Sequence, residues 1–146
     1  MSNKAPASIL IVDDNGTMRA LLRGILKSDE ASADYEVVGS ASDCEMAMEQ
    51  ALRLRPDIVC LDILMPKGSG LDVLKKIRKE LPQTVVLMVT GSSDSATVKA
   101  ALAAGASGYI IKPFNSATVL DLIGQAVEKS RALKAAAARP ADPAAP

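Results

Sequence analysis

The sequence predicts an α/β domain built on a doubly wound, five-stranded parallel sheet with helices on both faces. Residues 9–12, 58–61 and 85–89 are short apolar runs without polar alternation, as strands are when both faces of a sheet are covered. Between and after them, apolar residues recur at the spacing of amphipathic helices. Strand and helix signals alternate along the whole chain, the pattern of a parallel sheet with right-handed crossovers.

The first strand, residues 8–13, ends on two acids, Asp13 and Asp14. Met18, Leu21, Leu22, Ile25 and Leu26 then form one helical stripe, with Arg19, Arg23 and Lys27 on the opposite, solvated side. Residues 35–41 alternate only partly and suit an edge strand. Ser42 and Glu45 have the S-x-x-E form of a capping box. The helix it opens carries Cys44, Ala47, Met48, Ala51 and Leu52 and stops before Pro56.

The third strand runs through residues 58–62 onto Asp62, and Pro66 closes it. After a loop over 65–70, Leu71, Leu74, Ile77 and Leu81 mark a helix whose Lys75, Lys76, Arg78 and Lys79 read as a solvated face. Residues 85–90 form a fourth strand ending on Thr90. A polar turn leads to a small-residue helix that Gly105 terminates. The fifth strand, residues 108–112, ends on Lys112, and Val119, Leu122, Ile123, Ala126 and Val127 mark the last helix. From about residue 132 the chain turns Ala-rich and then Pro-bearing, which reads as a helix extension and a disordered tail.

Composition narrows the function. With 146 residues, 49% of them hydrophobic, the chain can bury the core of one domain. Lysine plus arginine balances aspartate plus glutamate at 17 each, so no electrostatic footprint for nucleic acid or an anionic membrane is expected. Cys44 and Cys60 lack metal-ligand spacing and read as core thiols of a reducing compartment. No secretory signal and no run of about 18 apolar residues is present, so a cytoplasmic protein is expected. The absence of histidine excludes Ser-His-Asp and Cys-His chemistry, most zinc sites and phosphate carried on a histidine of this chain.

Of the strand orders such sheets adopt, 2-1-3-4-5 puts the weakest strand at an edge and the first beside the third. Asp13, Asp14 and Asp62 then converge at the carboxyl edge, where open α/β sheets bind ligands, with Thr90 and Lys112 on the same edge. Three carboxylates repel unless one takes a proton or a cation neutralises them. An all-oxygen set favours Mg²⁺. Lys112 and Thr90 supply a positive charge and a hydrogen-bond donor for phosphoryl oxygens, and Asp62 is the candidate nucleophile, forming an aspartyl phosphate.

The ordered motifs Val12-Asp13-Asp14, Leu61-Asp62 with Met65-Pro66, Val89-Thr90-Gly91 and Tyr109-Ile110-Ile111-Lys112-Pro113-Phe114 resemble the receiver domain of bacterial two-component response regulators. The likeness is to the single-domain, CheY-like form with a flavodoxin-like fold, and it covers residues 8–131, between a flexible start at 1–7 and the tail at 132–146. It implies that Asp62 accepts phosphate from a histidine kinase or phosphotransfer protein. It further implies that Asp14, Asp62 and the Leu64 carbonyl ligate Mg²⁺ while Asp13 acts through water. Thr90 and Lys112 would hold the phosphoryl oxygens, Gly91 would keep the approach open, and Thr90 with Tyr109 would form the switch.

The same resemblance implies a cis Lys112-Pro113 bond and a protein target on the face of the fourth helix, fifth strand and fifth helix. The chain would be a stand-alone phosphoacceptor rather than an enzyme, promoting only its own phosphotransfer and dephosphorylation. Leu64 and Ser92 stand where side chains govern water's access to the acyl phosphate, and Gly68 replaces a usual apolar residue. Two other functions fit less well. One is a phosphorylation-independent scaffold. The other is a haloacid-dehalogenase-type phosphatase with Asp13 as nucleophile, whose D-x-D-G-T motif meets Asn15 at its second acid.

Overall fold

The computed structural model describes residues 6–28, 34–65, 68–91 and 95–138. In chain order the elements are β1 (Ala7–Val12), α1 (Gly16–Lys27), β2 (Tyr35–Ala41), α2 (Cys44–Leu54), β3 (Ile58–Asp62), β4 (Leu64–Met65), β5 (Gly68–Ser69), α3 (Gly70–Glu80), β6 (Val85–Thr90), α4 (Ser95–Ala103), β7 (Gly108–Ile111) and α5 (Ser116–Ala138). The main sheet is parallel with the order β2-β1-β3-β6-β7. This is the expected 2-1-3-4-5, renumbered because the expected loop after β3 contains the small antiparallel pair β4 and β5.

Strand geometry explains the unalternating runs. Successive side chains point to opposite faces, so Leu10, Val12, Val59, Leu61, Val86 and Met88 meet α2 and α3, while Ile9, Ile11, Ile58, Cys60, Val85 and Leu87 meet α1 and α5. Each side of the sheet thus has its own core. The edge strand β2 shifts register, with Ile9 opposite Val37 and Leu10 opposite Gly39, which leaves Val38 as the extra residue of a bulge. Cys60 is fully buried, which pushes its thiol up to about 12, and burial followed by the Asp43 charge raises that of Cys44. Neither thiol is a nucleophile at neutral pH.

Several local expectations change. α2 is capped by Asp43, whose carboxylate accepts the Met46 N–H at 2.7 Å, and the Ser42 box does not form. A carboxylate one residue later is the stronger acceptor and favours the positive end of the helix dipole. Leu21 and Leu52 are 45% and 47% exposed although they continue the apolar stripes, because periodicity fixes the direction of a buried face and not its width. Arg78 is half-buried instead of solvated and donates to the Thr84 carbonyl at 2.7 Å. Gly105 ends α4 as expected, at φ 110°.

α5 continues as helix through Ala138. Leu133 packs against the core, and Lys134 Nζ pairs with Asp57 Oδ1 at 2.7 Å. The other Asp57 oxygen accepts the Ser8 N–H at 2.8 Å, joining this helix to the start of β1. The expected flexible start and disordered tail lie mostly outside the described residues.

Two glycine substitutions separate space from conformation. A Cβ on Gly124 would meet nothing within 4 Å, so Gly124→Ala is expected to raise unfolding stability by about 0.5–1 kcal/mol through helix propensity. A Cβ on Gly70 would stand 2.7 Å from Ile63 Cα. Gly70→Ala is therefore expected to cost about 2–3 kcal/mol by overpacking against backbone. Urea unfolding of both variants checks the opposite signs.

Candidate functional site: an acidic cluster at the carboxyl edge of the sheet

The site begins where the strands end. The Asp13 N–H donates to the Ala41 carbonyl at 3.0 Å, so the backbone is still laced to β2 when the chain leaves β1. Asp13 Oδ1 then accepts the Asn15 N–H at 2.9 Å. Asn15 is the N-cap of α1 and accepts from Thr17 and Met18. Asp14, between these two, is exposed. Asp62 is the last residue of β3, and the next N–H, that of Ile63, donates to the Val89 carbonyl at 3.2 Å.

Parallel pairing of β1 with β3 brings the acids together. Ligand oxygens of Asp13, Asp14 and Asp62 lie within 4.8 Å of one another, the one such group of potential metal ligands among the described residues. Asp13 and Asp62 are buried, 3% and 6% exposed. Lys112 enters from the far side: its N–H donates to the Thr90 carbonyl at 2.8 Å, extending the β7 ladder by one residue. Its Nζ lies 2.7 Å from Asp13 Oδ2 and 3.2 Å from Asp62 Oδ2.

Burial alone would lower the pKa of the Lys112 ammonium. The hydrogen bond to Asp13 and the Asp62 and Asp13 charges outweigh it and hold the group above its ordinary value. Three carboxylates still face one ammonium, an imbalance a divalent cation is suited to close.

The structure places the remaining candidates around this cluster less completely. Thr90 is the buried end of β6, beside Lys112 in the ladder. Leu64 lies in β4, its backbone paired with Ser69. Gly91 is exposed, and among the described residues nothing stands within 4 Å of a Cβ built there. Ser92 and Pro66 lie outside the described residues. Lys112-Pro113 is cis, as expected. Tyr109, 40% exposed, lines with Leu102, Ile111 and Leu122 an open groove of about 690 Å³ between α4 and α5.

One site residue escaped the sequence reading. Arg19, assigned to the solvated side of α1, donates from Nη1 to the Asp13 carbonyl at 2.6 Å. The signal was available: helical side chains lean toward the N-terminus, and Arg19 stands four residues after the cap.

The profile of the response regulator receiver domain matches residues 9–124. The chain belongs to this family. Among curated proteins, the receiver is 37% identical over 117 residues to the chemotaxis protein CheY of Thermotoga maritima, covering 80% of this chain and 94% of that one. It is 38% identical over 109 residues to a protein-glutamate methylesterase/protein-glutamine glutaminase of Sulfurimonas denitrificans, covering 74% of this chain but only 30% of that protein. The crystal structure of the response regulator domain of Thermotoga maritima CheB superposes with a TM-score of 0.74 at 34% identity, covering 86% of this chain and 97% of that domain. The protein is thus a two-component receiver with the five-stranded fold of its relatives.

The Lys112 contacts set an alkaline limit. A pKa raised in the folded state contributes stability that is complete below the unfolded value, ordinarily 10.5, and is lost as pH rises through the folded one. In metal-free buffer the stability gap between wild type and Lys112→Gln is therefore expected to narrow from pH 9 to pH 12. Urea unfolding across that range checks it.

Proposed function

We propose that this receiver is a phosphoacceptor whose nucleophile is Asp62, and that it signals by phosphorylation-dependent binding to another protein. The observation that supports this reading best is the juxtaposition of the Asp62 carboxylate with two further acids and with the Lys112 ammonium. The donor set fits Mg²⁺, a hard cation that takes one or two carboxylates and keeps water and phosphate oxygens as its other ligands. Asp14 and Asp62, with the Leu64 carbonyl, would hold it, and Asp13 would act through water. When bound, the ion screens the charge between the carboxylate and the incoming phosphoryl oxygens.

A carboxylate oxygen of Asp62 attacks phosphorus in line. The P–N bond of a phosphohistidine on a kinase or phosphotransfer protein breaks, and the bonding pair leaves with the imidazole nitrogen, which takes a proton. Lys112 Nζ and the Thr90 hydroxyl hold the equatorial oxygens where charge gathers in transfer. The absence of histidine from the chain agrees with a donor on a second protein. The product on Asp62, an acyl phosphate, is a mixed anhydride that water can hydrolyse.

Phosphate bound to Asp62 favours whichever arrangement brings Thr90 toward it, and Tyr109, half-exposed here, turns inward in that arrangement. The readable surface is then the α4-β7-α5 face. Among the described residues no helix is long and apolar enough to cross a membrane, and a kinase donor places the reaction in the cytoplasm. The phosphatase reading has little support, because the position of its second acid is Asn15, engaged as the α1 cap.

Intact-mass spectrometry after incubation with acetyl phosphate and Mg²⁺ tests the reading. The wild type is expected to gain one phosphoryl group, while Asp62→Asn, and wild type in chelator, gain none. A folded wild type that stays unlabelled by both acetyl phosphate and a phosphohistidine donor would favour the scaffold instead.

A further inference from the structure

We propose that Arg19 is a positioning residue for the acidic cluster, pinning the turn between β1 and α1 in the shape that brings Asp13 and Asp14 to Asp62. What the cluster binds rests on the phosphoacceptor reading above; the role of Arg19 in its geometry does not. The Arg19 guanidinium donates from Nη1 to the main-chain carbonyl of Asp13 at 2.6 Å. It folds back over the start of its own helix, with Nη2 3.4 Å from where a Cβ on Gly16 would stand.

With that bond, each polar group of Asp13 is engaged. Its N–H donates to Ala41 at 3.0 Å, Oδ1 accepts from Asn15 at 2.9 Å, Oδ2 meets Lys112 at 2.7 Å, and the carbonyl accepts from Arg19. Asp14 is exposed. It is carried between a residue held by Arg19 and a residue, Asn15, held as the helix cap. The Arg19 bond therefore acts on both acids although it touches neither carboxylate.

Arg19 is the fourth residue of α1, at the end of the helix where the dipole disfavours a cation, and the acids that offset this, Asp13 and Asp14, stand just before the helix. The charge-assisted bond to the Asp13 carbonyl adds a directed contact to that attraction. Arginine suits the task because its planar fork is pre-organised and loses little freedom on bonding. Residues that orient ligating carboxylates without ligating commonly change metal affinity by about tenfold or more when removed.

The test compares wild type, Arg19→Ala and Arg19→Gln, each as the full chain. Mg²⁺ affinity is read by calorimetry at fixed ionic strength, and amide hydrogen exchange of Asn15, whose N–H bonds to Asp13 Oδ1, is read without metal. Arg19→Ala is expected to weaken Mg²⁺ binding about tenfold and to speed Asn15 exchange. Arg19→Gln, which keeps a neutral donor, is expected to recover a large part of both. Unchanged Asn15 exchange in Arg19→Ala would overturn the proposal. So would a Mg²⁺ affinity that Arg19→Ala leaves unchanged or raises, the result expected if the residue acted only as a cation repelling the metal. A wild type that binds no Mg²⁺ would count against the cation reading of the cluster, and the exchange data would still decide the role of Arg19.

Discussion

The ammonium of Lys112 meets the carboxylates of Asp13 and Asp62 at one point, and the ends of three strands depend on that contact. β1, β3 and β7 each deliver one partner; β3 is the direct neighbour of β1, and β6 separates it from β7. Buried acids at adjacent strand ends repel, and removing their one cation would leave uncompensated charge in a region with little water. The arrangement therefore holds an excess of negative charge that an incoming cation can relieve. Stability and reactivity draw on the same groups.

The opposite edge of the sheet has a different character. Asp57 binds Ser8 at the start of β1 and Lys134 near the end of α5, so its charge is fully employed in joining elements. Farther up α5, Lys129 donates to Ser107 at 2.8 Å. The C-terminal half of α5 is thus tied to the loop before β7 and to the base of β1. Along the β7 edge, by contrast, Leu102, Tyr109 and Ile111 are exposed around an open groove.

Much of this was legible in the residues. Continuous apolar runs at 9–12, 58–61 and 85–89 report strands covered on both faces, because only such strands must be apolar at every position. The convergence of Asp13, Asp14 and Asp62 followed from one topological step, the pairing of the first strand with the third. Other features were not legible. Asp43 and Ser42 are both acceptable caps, and the choice between them depends on where the strand before them lets go. Leu21 and Leu52 belong to the right stripes, yet how far a neighbouring element covers a stripe is a matter of packing.

Arg19 shows the same division most clearly. Sequence spacing put it on a helix opposite the apolar stripe, which is correct, but a periodicity cannot say that the same side faces a backbone carbonyl of the preceding turn. The sequence by itself determined the types of the main elements and the identities of the groups at the strand ends, and it narrowed the sheet order to one choice among the few such folds adopt, because hydrophobic periodicity and chain connectivity are local or nearly so. Only the tertiary structure decided which charges touch, how deeply each is buried and which arginine holds the turn. Those depend on distances between residues tens of positions apart, and such distances exist only once the sheet has closed.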